Sequence, residues 1–371
     1  MGVSKLQMNQ EGLMNNLQLY HKIFRQLCQW WPEERVTRVR NSALLVIGLY
    51  LGKAVHIAHI VRVWPLPGKE RSLVNRLRRF LNNHRVEVAH WYRPVIEPIL
   101  HRLDGQPIRL VIDVTKVGLG HRMAMVGLAY RSRTLPIAWT VVKGRKGHIG
   151  YQTTIRLLRE VRAWLPPHSP IELVADAGYE SVKLLRWLSR QHWHFVIRLA
   201  GRTQVSKDGE NWTKLNQYSL RKGQTREVGW VRVTAKHNFG WLHLVMHWDD
   251  GQDEPWYLIS NHAFSARMLI RQYARRMWIE EMFGDMKGHG FDLEATHLRD
   301  AQRISRLILG VCIAYIWLMS VGSWVVKNGL RHWIDVKSLR DKSYFRLGWD
   351  WLARCLRLNQ PFPIRFVPYY L

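Results

Sequence analysis

Two aspartates lie where apolar, strand-like runs give way to polar residues. Asp113 follows the apolar part of RLVIDV, and Asp176 directly follows IELVA. An acid at the end of a strand projects into the crevice where open α/β sheets place their functional sites. Either aspartate alone is explained more simply as a turn-forming or helix-capping residue. Two of them, on strands that can be neighbours, predict a shared acidic site.

A third acid belongs to a polar stripe in a helical segment. The stripe consists of Tyr273, Arg276, Glu280 and Lys287. At about 100° per residue, these four side chains fall within an arc of about 60° on one helix face. Glu281 lies about 100° from Glu280, so we expect it to face solvent. Arg276 and Glu280 are also spaced i, i+4, and an ion pair that only supports the helix is the alternative.

The intervals in this stripe resemble the signature of the IS4 family of bacterial DDE transposases. That signature is Tyr, two residues, Arg, three residues, Glu, six residues and Lys, and the stripe follows it. The family's first acid lies in an Asp-x-Thr context, which Asp113 and Thr115 match. Its second acid lies in an Asp-x-Gly-Tyr/Phe context, which is matched by Asp176, Gly178 and Tyr179.

The resemblance covers residues 108–287 and implies a fold. It implies an α/β protein with an RNase H-like mixed-sheet catalytic core, a β-strand insertion, and helical N- and C-terminal regions. The corresponding divisions are a helical DNA-binding domain at 1–105, the core at 106–200 and 255–300, the insertion at 201–254, and a C-terminal helical region with an oligomerisation role at 301–371.

The resemblance also implies a chemistry. It makes Asp113, Asp176 and Glu280 the catalytic residues and the ligands of two Mg²⁺ ions, with Mn²⁺ as a substitute. Two ions about 3.5–4 Å apart activate a nucleophile and stabilise the leaving oxygen, and hard cations of this kind prefer carboxylate oxygens. Hydrolysis at a transposon end releases a 3′-hydroxyl, which then joins to target DNA.

Further residues are expected to contact this DNA. Arg276 and Lys287 would grip phosphates near the cut, and Tyr273 would pack or donate a hydrogen bond there. Some family members pass through a DNA hairpin with a flipped base stacked on tryptophan. Trp256, and less strongly Trp248, are candidates for that role. The alternative for each is the hydrophobic core, because the chain has 19 tryptophans.

A basic loop offers another DNA contact. The sequence KGRKGH contains Lys143, Arg145 and Lys146, which we expect to bind the DNA backbone. A solvated basic loop is an equally simple interpretation.

The first hundred residues have the apolar periodicity of helices. Helices are predicted at residues 13–31, 36–63 and 72–82. The last of these is amphipathic and carries Arg76, Arg78 and Arg79. Such a basic helix in a small bundle resembles a helix-turn-helix reader of the major groove; a solvated helix surface is the alternative.

From residue 108 the pattern changes to strands and helices in the order βββ-α-β-α-β, which suits a sheet flanked by helices. Strands are predicted at 109–114, 123–130, 135–142, 171–175 and 194–199, and helices at 152–165 and 181–191. Residues 201–254 have the alternation of a β-rich insertion, with strands at 228–236 and 241–248. The sequence pattern of helices returns at 266–287 and continues to the C-terminus.

Composition restricts the class of protein. The 371 residues carry 56 Lys and Arg against 28 Asp and Glu, a formal net charge of +28. A surplus of this size attracts a polyanion, and double-stranded DNA is the expected partner. With 47% hydrophobic residues the chain is not a disordered basic tail. Three scattered cysteines exclude a disulfide framework and a cysteine-based zinc cluster, and they fit a reducing cytosol. The resemblance to bacterial transposases implies a bacterial cytoplasm, with the protein associated with the nucleoid.

One long apolar segment raises the question of whether the protein is anchored in a membrane. Residues 307–326 are twenty uncharged residues, long enough to cross a bilayer. A fully buried helix in a large α/β domain is the interpretation we favour, so we expect no membrane partner.

Three other functions remain as alternatives to a transposase acting as a synaptic homodimer. A catalytically silent, transposase-derived DNA-binding protein would retain the basic surface. Another RNase H-like nuclease or recombinase would retain the acids. A membrane protein would use residues 307–326 as its anchor.

Overall fold

The computed structural model describes residues 5–144, 149–336 and 338–371, with side chains from residue 14 onward. The N-terminal region is helical, as the sequence predicts. Its helices are α1 (Lys5–Trp30), α2 (Val36–Gly52), α3 (Ile57–Arg62), α4 (Glu70–Leu81) and α5 (Val88–His101). The single helix expected at 36–63 is two helices, because Lys53 adopts a left-handed conformation (φ 51°) and ends α2.

The central sheet begins with a meander followed by parallel crossovers. Its first strands are β1 (Ile108–Val117), β2 (His121–Tyr130) and β3 (Arg133–Lys143), which pair antiparallel. Helix α6 (Tyr151–Trp164), β4 (Ile171–Ala175), helix α7 (Val182–Arg190) and β5 (His194–Leu199) follow. Strand β4 is parallel to both β1 and β5. The resulting order, β3-β2-β1-β4-β5, is RNase H-like, in agreement with the expected fold class.

The expected insertion extends this same sheet. Residues 201–254 contain β6 (Gln204–Ser206), β7 (Thr213–Lys214), β8 (Thr225–Val233) and β9 (Phe239–His247), and β10 (Trp256–Ser260) follows. Strand β10 pairs antiparallel with β5 on one side and β9 on the other. The ten strands therefore form one continuous sheet, in which β10 joins the core strands to the insertion.

Residues 266–287 form two helices where the sequence predicts one. They are α8 (Ala266–Ala274) and α9 (Met277–Met286), with Arg275 and Arg276 in the turn between them. In this turn the Arg276 amide bonds to the Tyr273 carbonyl at 2.8 Å, which is an i→i+3 contact instead of the α-helical i→i+4. The prediction of a continuous helix is wrong at this point.

The apolar segment 307–326 lies within α10 (Ala301–Lys327), which packs against α2, α5, β3 and α11 (Tyr344–Arg357). Among the described residues, α10 is the helix long and apolar enough to span a membrane, and 94% of its apolar window is buried in the protein. The favoured prediction of a buried helix agrees with this structure. A Cβ on Gly348 of α11 would lie 1.9 Å from the Leu318 carbonyl oxygen, so only glycine permits this helix–helix approach.

The C-terminal region is less helical than expected. Beyond α11, residues 358–371 are irregular. This tail returns to the core, where the Tyr369 carbonyl accepts a hydrogen bond from the Tyr130 hydroxyl at 2.5 Å. The Tyr369 amide donates to Ser323 of α10 at 2.9 Å.

Candidate active site

Asp113 and Asp176 lie side by side where β1 and β4 separate. The last parallel pair between these strands is Ile112 with Ala175, and each aspartate is the next residue on its strand. Asp176 directly follows β4, as predicted. Asp113 is not at a strand end, because β1 continues to Val117 by pairing with β2. What ends at Asp113 is the pairing of β1 with β4, not the strand itself.

The turn between α8 and α9 brings the third acid to the same place. Arg276 donates from Nη1 to Asp113 Oδ2 at 3.0 Å and from Nη2 to Glu280 Oε1 at 2.5 Å. One guanidinium thus joins a sheet carboxylate to a helix carboxylate 167 residues later in the chain. The Arg276–Glu280 contact has the i, i+4 spacing of an ion pair that only supports the helix. Arg276 also bonds to Asp113 in the sheet, however, so its role is not limited to supporting the helix.

Tyr273 makes the corresponding contact with the second aspartate. Its hydroxyl donates to Asp176 Oδ1 at 3.0 Å. Its buried ring packs edge-on against Trp256, with centroids 4.7 Å apart and planes at 73°. Tyr273 and Leu269 of α8 also pack on Val174, two residues before Asp176, so α8 covers the face of the sheet that carries the acids.

The acids interact electrostatically. Burial raises the pKa of Asp113 to about 6, although the Arg276 guanidinium and the Val114 amide, which donates to Asp113 Oδ1 at 2.7 Å, act to lower it. The negative charges of Asp176 and Glu280 add to the upward shift of the Asp113 pKa. Like charges raise a carboxyl pKa in this way only when they are near neighbours.

The donor chemistry suits a hard divalent cation. Asp113, Asp176 and Glu280 offer carboxylate oxygens, and the Arg276 guanidinium stands in as a cation between two of them. As the side chains stand, no group of three or more His, Cys, Asp or Glu among the described residues is arranged as a metal site. A divalent ion held by these acids would compete with the Arg276 guanidinium for Asp113 and Glu280.

Lys287 does not continue the predicted stripe. Helix α9 ends at Met286, and Lys287 follows it with a non-helical backbone (φ −94°, ψ −126°). Its Nζ bonds to Glu294 Oε1 at 2.8 Å. The helical angle calculated for Lys287 is therefore wrong. Glu281 is 53% exposed and pairs with Arg133, which agrees with its expected solvent-facing position.

The other predicted DNA contacts lie in different surroundings. Trp256 is half-buried beside Tyr273 and close to the acids, whereas the Trp248 indole donates to the Gln252 carbonyl within its own turn. Lys143 is exposed at the end of β3. It lines a cleft of about 870 Å³ together with Lys116 and Arg299. Arg145 and Lys146 lie outside the described residues.

A buried acid that the sequence reasoning missed anchors the α8–α9 turn. Glu172 of β4 accepts a hydrogen bond from the Gln272 side chain at 2.9 Å. Arg275 and Arg109 approach the same carboxylate at 3.8 and 3.9 Å. Burial raises the pKa of Glu172, against the opposing effect of the two arginines. Its signal in the sequence was a glutamate inside the otherwise apolar run IELVA.

A second missed feature is an arginine-lined cavity of about 430 Å³ between α2 and α4, here termed the basic groove. Its arginines are Arg35, Arg38, Arg76, Arg79 and Arg85. Within the described residues, one of these five forms an ion pair, that of Arg38 with Glu34. A neighbouring cleft of about 500 Å³ shares Arg79 and adds Arg78 and Arg303, so the positive surface continues across α4.

The α4 arginines only partly fit the expected DNA-reading helix. Arg78 and Arg79 are exposed, as a reading helix requires. Arg76 points inward and donates to Asn41 at 2.7 Å. The arrangement of these side chains therefore suits contacts with a phosphate backbone along the groove better than three parallel contacts with bases.

Residues 103–317 match the family model described as "Transposase DDE domain". That range includes Asp113, Asp176 and Glu280. No curated protein matches the chain.

Two solved structures resemble parts of the fold. A piggyBac transposase synaptic complex with hairpin DNA shares 11% identity, with 92% of this chain and 79% of that chain covered and a TM-score of 0.43. An Argonaute of Marinitoga piezophila, in complex with guide RNA and target DNA, shares 10% identity. The matched region covers 67% of this chain and 37% of the Argonaute chain, with a TM-score of 0.23.

Proposed function

Because the chain belongs to the transposase DDE domain family, we propose that it cleaves the ends of a transposon and joins the freed 3′-hydroxyl to target DNA. The observation that carries this proposal is the meeting of three acids from distant parts of the sequence. Arg276 contacts two of them and Tyr273 the third. The signature intervals of Tyr273, Arg276, Glu280 and Lys287 support assignment to the IS4 group and a cut-and-paste reaction.

In this proposal Asp113, Asp176 and Glu280 hold two Mg²⁺ ions, or Mn²⁺ in their place. When bound, such a pair supplies Lewis-acid stabilisation of the attacking and leaving oxygens. Asp113, whose pKa is raised by the charges of both Asp176 and Glu280, would hold metal together with these two acids. Tyr273 orients the Asp176 carboxylate through its hydrogen bond. The apolar face of α8, with Leu269 and Tyr273, packs in a cluster with Val174, two residues before Asp176.

DNA would lie across two positive regions. The N-terminal region, residues 1–105, would bind the transposon end through the basic groove, whose arginines suit phosphate oxygens. The second region is the cleft lined by Lys143, Lys116 and Arg299, which would contact the backbone of the strand being cut. Arg145 and Lys146 of the same basic sequence would bind the DNA backbone as well. Trp256, which packs on Tyr273 beside the acids, would stack a flipped base if a hairpin forms.

Assembly and location follow from the same function. A homodimer would pair two transposon ends, and the C-terminal region 301–371 offers apolar surface for it. Trp333, Val336 and Leu339 are exposed there at 56%, 63% and 72%. A protein acting on chromosomal DNA would work in the bacterial cytoplasm at the nucleoid, without a membrane partner.

Cleavage of duplexes that carry the inverted repeats flanking the coding region tests the proposal. In Mg²⁺ we expect the wild type to cut. Each of Asp113→Asn, Asp176→Asn and Glu280→Gln should lose at least about 10³-fold, since metal assistance contributes several kcal/mol. Glu281→Gln is the matched control, one residue from Glu280 and facing solvent. Cutting that survives in one of the three variants removes that residue from the site.

A catalytically silent DNA-binding protein would give a different result in this assay. It would bind the ends in Mg²⁺ and in Mn²⁺ and cut in neither. A nuclease or recombinase of the same fold would cut but would not join the 3′-hydroxyl to a target duplex.

A further inference from the structure

Arg276 contacts two of the carboxylates that would hold a metal ion. Its guanidinium contacts Asp113 at 3.0 Å and Glu280 at 2.5 Å. Asp113 Oδ2 accepts from this guanidinium while Oδ1 accepts from the Val114 amide. Both oxygens of Asp113 are thus engaged within the protein, and so is one oxygen of Glu280.

A cation at this position has a physical cause. Carboxylates gathered in a partly buried site repel one another, and the repulsion is relieved by a positive charge or by protonation. The three acids come from β1, the end of β4 and α9, so folding alone brings them together. Arg276, 15% exposed, supplies a positive charge from within the chain.

We propose that Arg276 is an exchangeable counter-ion that couples DNA binding to metal binding at this site. In the absence of DNA it holds Asp113 and Glu280. When DNA binds, a phosphate competes for the guanidinium, because a planar guanidinium pairs with phosphate in the same two-bond geometry as with carboxylate. The departure of Arg276 then frees carboxylate oxygens for divalent ions. This inference rests on the proposed function and adds its regulation.

The local structure permits such an exchange without unfolding. Arg276 lies in the turn between α8 and α9, and its side chain is 15% exposed. One edge of its guanidinium faces the sulfur of Met277 at 3.7 Å, and Met277 is 45% exposed, so the route to solvent is short. Glu280, the helix partner, is itself 41% exposed.

The adjacent arginine keeps the turn in place during the exchange. Arg275 lies 3.8 Å from the buried carboxylate of Glu172, and Gln272 donates to the same carboxylate. On the other side of the turn, Tyr273 remains bonded to Asp176. Two neighbouring arginines thus have different roles: Arg275 anchors the turn to β4, and Arg276 exchanges partners.

Thermodynamic reciprocity gives the measurable consequence. If DNA removes a competitor from the metal site, DNA and metal must each strengthen the binding of the other by the same factor. Coupling of this kind is commonly worth about 5–150-fold. Loss of the Arg276 charge should raise metal affinity without DNA and remove most of the coupling.

The test is a Mn²⁺ titration of the full-length protein, followed by the electron paramagnetic resonance signal of free Mn²⁺, with and without a 30-bp duplex. For the wild type we expect at least about tenfold tighter binding with DNA. Arg276→Gln should bind about tenfold more tightly than the wild type without DNA, and DNA should change its affinity by less than about twofold. Asp113→Asn with the same duplex gives the background of Mn²⁺ held by DNA.

Two further variants control for charge and folding. Arg271→Gln removes one exposed positive charge from α8 and should leave both Mn²⁺ affinities within about twofold of the wild type. Arg276→Lys keeps the charge but lacks the two-armed group, so it should give an intermediate affinity without DNA. Circular dichroism of each variant verifies that it is folded before titration.

The outcomes separate this inference from the proposed function. If Asp113→Asn binds Mn²⁺ as the wild type does, the acids are not the metal site and the proposed function fails with the inference. If Asp113→Asn loses binding while Arg276→Gln and Arg276→Lys both match the wild type without DNA, the counter-ion role is overturned and the metal site stands. A similar gain in Arg271→Gln would also overturn it, because the effect would then be general charge.

Discussion

The basic groove and the active site both use arginine, but in opposite settings. In the groove, five arginines line one cavity, and the ion pair within the described residues joins Arg38 to Glu34. In the active site, a single guanidinium, that of Arg276, is shared by two acids. The net charge of +28 does not distinguish these uses. Positive charge in the groove is open to an incoming phosphate, whereas positive charge at the acids must first leave a carboxylate.

The largest effect on DNA binding is expected from removing three of the five arginine charges of the groove. The triple variant Arg35→Gln, Arg79→Gln and Arg85→Gln should bind duplex DNA about 10²-fold more weakly at low salt. The slope of log affinity against log salt concentration should fall by about 3, since each arginine would neutralise one phosphate. Fluorescence anisotropy with a labelled duplex across a salt series measures both quantities.

The matched control for the groove removes the same charge elsewhere. Arg156, Arg159 and Arg162 are exposed on α6. Their triple substitution by glutamine should leave the salt slope nearly unchanged. An equal loss of affinity in both triple variants would mean that DNA responds to total charge and that the groove is not a binding site.

A smaller effect is expected on the active-site side of the comparison. Tyr273→Phe removes the hydrogen bond to Asp176 but keeps the ring that packs on Trp256. A hydrogen bond to a charged group contributes about 1.5–3 kcal/mol, so the cleavage rate should fall by about tenfold or more. Single-turnover cleavage in Mg²⁺ measures it. An unchanged rate would show that Asp176 needs no positioning by Tyr273.

A substitution at Glu294 would break the ion pair of Lys287 and leave the lysine charge available to DNA. Glu294→Gln would release Lys287 from its 2.8 Å pair. The variant should bind DNA a few fold more tightly, with a salt slope steeper by about 1, because Lys287 could then neutralise one phosphate. The Lys287 hydrogen bond lowers the pKa of Glu294, so the stability from this pair exists above the ordinary pKa of glutamate and disappears as pH falls through the lowered value.

The pair is exposed, and its removal should therefore reduce the free energy of unfolding by less than about 1 kcal/mol at neutral pH. Chemical denaturation at neutral and acid pH measures this difference. Weaker DNA binding by Glu294→Gln would contradict a phosphate-binding role for Lys287.

The smallest effect concerns the anchor of the α8–α9 turn. Burial raises the pKa of Glu172 in the folded state, so its contribution to stability is present at pH below the ordinary glutamate value and is lost as pH rises through the raised value. Glu172→Gln cannot ionise and keeps an acceptor for Gln272. Its stability relative to the wild type should therefore increase as pH rises from acid to neutral, as measured by thermal unfolding. A difference independent of pH would contradict the raised pKa.

Local sequence patterns predicted much of the core. The strands around Asp113 and Asp176 were recognisable because apolar β-branched runs end in acids, and both strands lie where expected. The extension of β1 beyond Asp113 was not predicted, because it depends on pairing with β2. The family signature singled out Tyr273, Arg276 and Glu280 as candidates, and the structure brings these three residues together around Asp113 and Asp176. The assumption of one straight helix through Lys287 was wrong.

The missed features depend on contacts between distant residues. The break at Arg275 and Arg276 has no glycine or proline to announce it, and it coincides with contacts of these side chains to Glu172 and Asp113. The basic groove gathers arginines from residues 35–85 through the packing of α2 near α4. Spacing along the chain gave no indication that these arginines share one cavity.

Helix α10 gives the two sites a fixed relationship. It packs on the N-terminal helices α2, α4 and α5, and also on β3 and α11. Since it runs unbroken through the core, it acts as a strut between the helices that line the groove and the sheet that carries the acids. A duplex seated at the groove would therefore meet the acids at a set number of base pairs from that contact. Base pairs inserted or deleted between the bound sequence and the end of the transposon should therefore leave the cut at the same distance from the bound sequence. The cut should move relative to the original terminal base pair by the number of base pairs inserted or deleted.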